Sequence, residues 1–440
     1  VVVNLRSTAF LSYDWSYGTN PLQAGGCTYY RCQLPMKYMQ QLGMHAAIGM
    51  PLFMDEHGFG VLKGSNSGEL GWQVVVLKLL MHRQHPEMIR KAQARGQVVV
   101  VDVDDAHNRL EEDNMAYKTT DPALNPEFNR DYYEEVIMAA DYVTVSTEWL
   151  FDDIAKRRPR VIRIQNGVDT NRYGPRLDTA GDKPRLGWVG GLPWRVKDPA
   201  MLKEWLPDYV ARTGVTVHHS GHIGDHFHTT FQDIVGLKEV STLPLLPVMQ
   251  YPAILAPIDI GLIPLIDNDF NKAKSSLRGM EFAAAGIPFI ASPSPEYLRL
   301  EAGGIGRIAR TPEEWVAHVD ELRDPDIRRA EAERQYQKVR ELHDMTHRQN
   351  QWKALYQCLD QTHPLPTSSS SNSQTTIGDQ SSGASESSKS TPTSSASTRS
   401  RRRSNSSSAT SRRSYTKTSA SATTSGTSQR RQRRNSASTS

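Results

Sequence analysis

Residues 251–292 read YPAILAPIDIGLIPLIDNDFNKAKSSLRGMEFAAAGIPFIAS. Asp259–Leu265 is an apolar run with Pro264 near its end, and its length suits a buried strand. Ser276–Ala285 is predicted to be a helix that stops at Gly286, and Pro288–Ala291 is predicted to be the next strand. Lys274, Ser275 and Ser276 stand where that helix begins. A helix start offers unpaired N–H groups and partial positive charge to an anion. Ser275 either caps the helix or bonds such an anion. Further in, Arg278 and Glu281 either belong to the same site or form an ordinary solvated face.

Outward from this stretch the alternation continues. On its N-terminal side Arg185–Val189 is a strand ending in Gly190-Gly191, Pro199–Thr213 is helical, and Val215–His219 is a strand ending near Gly221. Before these, Tyr173–Pro184 is polar and reads as a linker. The first half carries apolar runs at Val1–Leu5, Val74–Leu80, Gln97–Val101, Tyr142–Ser146 and Val161–Ile164. Predicted helices at Tyr38–Gly43, Pro86–Arg95, Asp131–Ala140 and Thr147–Arg157 lie among them. Fully apolar strands separated by helices imply parallel sheets covered on both faces. The reading is α/β, with two doubly wound, Rossmann-like domains and ligands at the carboxyl ends of the strands in the cleft between them. The boundaries read as 1–172 for the first domain, 173–184 for the linker and 185–335 for the second. Residues 336–363 read as a C-terminal helix, within a charged helical stretch Asp326–Leu359, and 364–440 as a disordered tail.

Composition sharpens this division. The chain has 440 residues, 38% hydrophobic and 23% charged, with a net charge of +4. From Pro364 onward Ser and Thr dominate, and ten Arg and two Lys face only Asp379 and Glu386. That segment carries +10 against +4 for the whole chain, leaving the body near −6. A mildly acidic body argues against a nucleic-acid-binding core. The basic residues of 399–434 suit polyanion contact through phosphates. Cys27, Cys32 and Cys358 are too few for a disulfide framework and lack zinc spacing. No apolar run reaches bilayer length, and the start lacks a basic, cleavable leader. The expectation is a cytoplasmic protein, in a host cytoplasm if the source is a virus.

The 251–292 stretch resembles the C-terminal donor domain of GT-B glycosyltransferases, especially those similar to family four. In them a strand like "DIGLIPL" precedes a helix like "KSxxRxxEYxAxGxP" and a strand like "FIAS". The resemblance implies transfer of a sugar from a nucleotide-diphosphate sugar to an acceptor hydroxyl on a protein or glycan, a hexosyltransferase-type activity. It implies no cofactor beyond that co-substrate and no bound metal. Similar reading frames in bacterial viruses suggest glycosylation of a virion protein. By resemblance Glu281 takes the nucleotide ribose, and the C-terminal helix near Trp352 braces the first domain. One departure is Ala273, where many family-four enzymes carry an acid that contacts the donor sugar. Rival readings are a sugar-nucleotide epimerase of the same fold and a non-catalytic adaptor that binds nucleic acid through the tail.

Several smaller elements complete the expected site. Trp188–Asp198 runs from a strand through Gly190 and Gly191 to Arg195 and Lys197. Glycines let a diphosphate approach the backbone, and the two basic side chains suit its charge. Val143–Ser146 and Ile164–Asp169 resemble the region closing the first domain, with Asn166 at a turn that lines the cleft. Gly25, Gly26 and Arg31 are expected on the acceptor side. Asp104, Asp105 and His107, beyond the valine strand, are candidates to orient or deprotonate the acceptor hydroxyl. Carboxylates after a strand also cap helices. The histidines 218, 219, 222, 226 and 228 invite a metal, but alternation puts His218 and His219 on opposite strand faces. His222 is expected to face the nucleotide instead.

Overall fold

The computed structural model describes residues 6–16, 23–49, 72–78, 81–175, 181–221 and 230–363. The first lobe holds six parallel strands: β1 (Thr8–Leu11), β2 (Ala46–Gly49), β3 (Val74–Lys78), β4 (Val98–Val103), β5 (Tyr142–Val145) and β6 (Val161–Arg163), in the order β2-β1-β3-β4-β5-β6. Its helices include α1 (Leu34–Gln41), α2 (His85–Ala94), α3 (Tyr132–Ala139) and α4 (Glu148–Ala155). Alternation explains why these strands are apolar throughout. Val75, Leu77, Val99 and Val101 meet Ile89, Val136, Ile137 and Ile154 of α2–α4, while Val74, Val76, Val98 and Val100 face the other way.

The second lobe repeats the scheme. Strands β7 (Arg185–Val189), β8 (Thr216–Gly221), β9 (Ser241–Pro244), β10 (Ile260–Ile263), β11 (Phe289–Ala291) and β12 (Arg307–Ile308) are parallel, in the order β9-β8-β7-β10-β11-β12. This is the Rossmann order, and the strand sequence reverses between β7 and β10. Helices α5 (Leu206–Thr213), α6 (Leu277–Ala284), α7 (Pro295–Ala302), α8 (Pro312–Arg323) and α9 (Pro325–His343) follow. The last helix, α10 (Gln349–Thr362), returns to the first lobe. There Trp352, Leu355, Tyr356 and Leu359 cover the remaining sheet face, and Phe10 meets Trp352 edge-on at 5.5 Å.

The two-lobed α/β reading is the fold observed; several element readings are corrected. Val1–Leu5 lies outside the described residues, and the strand that enters the sheet is Thr8–Leu11. A domain edge at 335 falls inside the continuous helix α9, which contains neither Gly nor an internal Pro. The break comes at Asp344, whose carboxylate accepts from Thr346 N and restarts the chain as Met345–Arg348. Strands β2, β9 and β12 were not read from the sequence. The tail 364–440 lies outside the described residues. Among the described residues no helix is long and apolar enough to cross a membrane.

Candidate functional site

A cavity of about 270 Å³, lined by several charged residues among apolar surface, opens between the lobes. Strand ends and helix starts from both lobes converge there, as the topology requires. From the second lobe come Arg195, Tyr251, Lys274, Ser275, Arg278, Glu281 and Tyr297; from the first come Gly26, Cys27, Tyr30, Arg31, Asp104, Asp105 and Asn166. A more apolar cavity lies between α1 and α10, lined by Tyr38, Met39, Met44, Trp352 and Tyr356. It lacks the convergent charged groups that mark the interlobe cavity as the place for chemistry.

The start of α6 faces the interlobe cavity. Ser276 is its N-cap residue, yet no side chain caps the helix and no acid lies in its first turn. That leaves its positive end for an outside anion. Two guanidiniums reinforce it. Arg195 has only a distant partner, Asp198 at 4.0 Å. Its pKa is pushed down by burial and then by the neighbouring Arg278. Arg278 stacks over Trp188 at 5.8 Å and approaches Gly190, and no described carboxylate forms an ion pair with it. The strand end itself is tightly built: a Cβ at Gly221 would stand 1.9 Å from the Gly190 carbonyl oxygen.

Glu281 lies one turn beyond Arg278 on the same helix face. It is 4% exposed. Tyr30 donates its hydroxyl to Oε1 at 2.5 Å, and the Tyr251 hydroxyl stands near enough to favour the charged carboxylate as well. Burial raises the carboxyl from 4.5 to about 7, against the opposing pull of the two tyrosines, Arg278 and Arg172.

The acidic cluster after β4 divides by environment. Asp102 is fully buried and takes a two-pronged bond from Arg31, Nε to Oδ2 at 2.9 Å and Nη2 to Oδ1 at 2.6 Å. Asp104 meets Lys78 at 2.5 Å, the two side chains 12% and 8% exposed. Burial alone would raise its carboxyl, but Lys78 and then Arg31 hold it well below the usual range. Asp105 instead reaches across the cleft to Lys274, Nζ to Oδ1 at 2.6 Å. Burial lowers the Lys274 ammonium although Asp105 pulls the other way. His107 is held below its ordinary value by burial and is not among the residues lining the cavity.

The remaining expected residues take varied positions. Arg31 lines the cavity, but its N–H groups go to Asp102, to the Ile164 carbonyl at 2.7 Å and to Asn166 Oδ1 at 2.9 Å. Asn166 in turn donates to Ser275 Oγ at 2.8 Å, joining the lobes. Gly25 sits against Asp14, where a Cβ would overlap the carboxylate at 2.1 Å. Gly191 precedes the short turn Leu192–Trp194. Lys197 turns away from the cavity; it is 53% exposed and pairs with Glu111 at 2.8 Å and Asp113 at 3.1 Å on the rim. His222 lies outside the described residues. His218 bonds Ser220 and Ser241, and His219 bonds the Gly190 carbonyl. Among the described residues no group of three His, Cys, Asp or Glu could hold a metal.

Sequence reasoning left Arg278 open between the site and a solvated face, and did not assign Tyr30, Tyr251, Tyr297 or Lys78 as lining or supporting groups. Arg278 had a signal, since it lies four after Lys274 and three before Glu281. The tyrosines and Lys78 arrive from distant elements and had none.

Comparison with known proteins bears on this arrangement. Residues 201–354 match a family described as glycosyl transferase-like. The chain is 26% identical over 177 residues to TuaH of Bacillus subtilis, assigned to teichuronic acid biosynthesis as a glycosyltransferase. That match covers 38% of this chain and 44% of TuaH, so the chain spans less than half the length of that relative. Among solved structures, a glycosyltransferase from Rickettsia africae aligns with a TM-score of 0.56 at 11% identity, over 80% of this chain and 98% of that one. Sucrose-phosphate synthase from Thermosynechococcus elongatus gives 0.55 at 13%, over 81% and 100%. HepE of Anabaena, in complex with UDP-glucose, gives 0.53 at 14%, over 80% and 100%. These likenesses establish the fold as GT-B, two Rossmann-like lobes facing across a cleft.

Proposed function

We propose that the protein is a glycosyltransferase that moves a sugar, of hexose type, from a nucleotide-diphosphate donor to a hydroxyl of a protein or glycan. The observation that carries this reading is the pair Arg195 and Arg278. Their guanidiniums repel each other at the uncapped start of the helix that also bears Glu281, and among the described residues their one ion pair is Arg195 with Asp198 at 4.0 Å. Like charges held together in a cleft require an anion, and a diphosphate supplies one. Glu281 accepts the ribose hydroxyls. As the glycosidic bond to the diphosphate breaks, Arg195, Arg278 and Lys274 take up the growing negative charge. Asp105 accepts the proton of the attacking hydroxyl. Asp104 is the poorer base because its partner Lys78 is buried with it, whereas Asp105 pairs with Lys274, which the diphosphate can take over.

A thermal-shift panel of UDP, GDP, ADP and CDP tests the assignment. One nucleotide at a hundred times its Kd stabilises the fold by about 2.7 kcal/mol. The shift disappears in Glu281→Ala. If no nucleotide moves the melting temperature, the proposal fails.

The raised Glu281 carboxyl gives a pH signature. Ribose hydroxyls need the ionised form as acceptor. Below about 7 each pH unit weakens nucleotide binding about tenfold, and above 7 the affinity levels off. The stability term has its own sign. With the folded value raised above the unfolded one, the neutral carboxyl's contribution is complete below 4.5 and is lost as pH rises through about 7. Titration calorimetry of nucleotide between pH 5.5 and 8.5 checks the binding trend, and Glu281→Gln flattens it. A wild-type affinity independent of pH contradicts the assigned role.

A further inference from the structure

Two of the second-lobe groups assigned to ribose and diphosphate are engaged by the first lobe. Glu281 Oε1 accepts from the Tyr30 hydroxyl at 2.5 Å. Lys274 Nζ meets the Asp105 carboxylate at 2.6 Å. The chemistry of each contact copies the donor's own. A phenolic O–H gives its proton to the carboxylate, as a ribose hydroxyl would, and an anionic oxygen sits on the ammonium, as a phosphate oxygen would. Tyr30 lies on a π-helical turn, Tyr29–Gln33, a local irregularity common at functional sites. Lys274 also rests on the Phe270 ring at 4.2 Å, which holds its ammonium in place for either anion.

We infer that the first lobe carries an internal mimic of the nucleotide, Tyr30 for a ribose hydroxyl and Asp105 for a phosphate oxygen, which the donor must displace. This rests on the donor-site reading above. Arg195 and Arg278 have no such occupant and make the first contact with an incoming diphosphate. That diphosphate then competes with Asp105 for Lys274, and the two anions repel each other. Asp105 is released toward the acceptor side only once Lys274 has a phosphate to hold. The arrangement therefore couples the freedom of the base to donor occupancy and keeps an empty site from presenting an unpaired carboxylate. After transfer Asp105 gives up the accepted proton to solvent, and its return to Lys274 as a carboxylate helps expel the nucleoside diphosphate. Donor affinity is lower than the contacts alone would give, because part of it is used to displace the mimic.

The test is calorimetric binding of the nucleoside diphosphate found in the thermal-shift panel. Asp105→Asn and Tyr30→Phe each tighten it about fivefold or more, the scale of an ordinary coupling between sites. Asp105→Asn at the same time loses sugar transfer. The gain from Asp105→Asn vanishes when Lys274→Ala is added, because the competition acts through that ammonium. A merely structural contact between the lobes would instead weaken binding when cut. Unchanged or weaker binding in either single variant overturns the mimicry. If the wild type binds with dependence on Arg278 and Glu281 but the variants do not tighten, only the mimicry falls. If the wild type binds no nucleotide, the donor-site reading falls with it.

Discussion

Replacing Arg278 with Ala lowers kcat/KM for sugar transfer by about 10²–10³-fold, the usual cost of removing one preorganised charge from a transition state. The loss falls more on kcat than on KM, because negative charge on the leaving diphosphate grows as the bond breaks. The fold does not suffer. Arg278 has no described ion-pair partner, and its neighbour Arg195 is destabilised by it. Removing it relieves that repulsion but gives up its attraction to Glu281 and its contact with the Trp188 ring, so the melting temperature changes little. Arg278→Lys restores the charge but not the planar two-pronged contact, and recovers only part of the rate. Steady-state kinetics with saturating acceptor, paired with thermal melts, separates these effects. A variant within threefold of the wild-type rate would remove Arg278 from the leaving-group site and take the main support of the proposed function with it.

What the sequence made legible follows from the range of the interactions. In residues 251–292 the strand, helix and strand are set by local periodicity, so Lys274 and Ser275 could be placed at the start of one helix and Glu281 within it. They line one cavity. The strand Thr8–Leu11 is short and flanked by polar residues, which hides it from a reading by apolar runs. The hydroxyl of buried Thr8 is met by Tyr356, 348 positions away, at 2.7 Å. Strand β9, Ser241–Pro244, is exposed at the sheet edge and carries no apolar run. Arg195 and Lys197 were indistinguishable as neighbouring cations. The turn after Leu192–Trp194 sends one into the cleft and the other to Glu111 and Asp113. Tyr30 reaches Glu281 over a separation of 251 residues, which only the packing of the two lobes determines.

Arg31 shows the same limit and gives the largest expected effect on stability. Its placement after Gly25-Gly26 suggested an acceptor contact, and it does line the cavity. Yet it is 2% exposed, and its fork is occupied by Asp102, the Ile164 carbonyl and Asn166. Thr144 completes Asp102 with a hydroxyl bond at 2.7 Å. Cutting such a buried pair strands the surviving charge in a dry environment. Asp102→Ala therefore costs about 3–5 kcal/mol of folding free energy, as does Arg31→Met. Replacing both residues with apolar ones of similar volume costs much less than the two single losses together, since no lone charge remains. Urea denaturation of the four proteins measures the coupling. The bond from Asn166 to Ser275 depends on the same arginine, so a loosened Arg31 also disturbs the loop before α6. Nucleotide binding in the double replacement falls modestly even where the fold is recovered. If Asp102→Ala costs less than about 1 kcal/mol, the range of an exposed pair, then Arg31 is not committed to the scaffold. It would then be a fourth cation available to a ligand in the cleft.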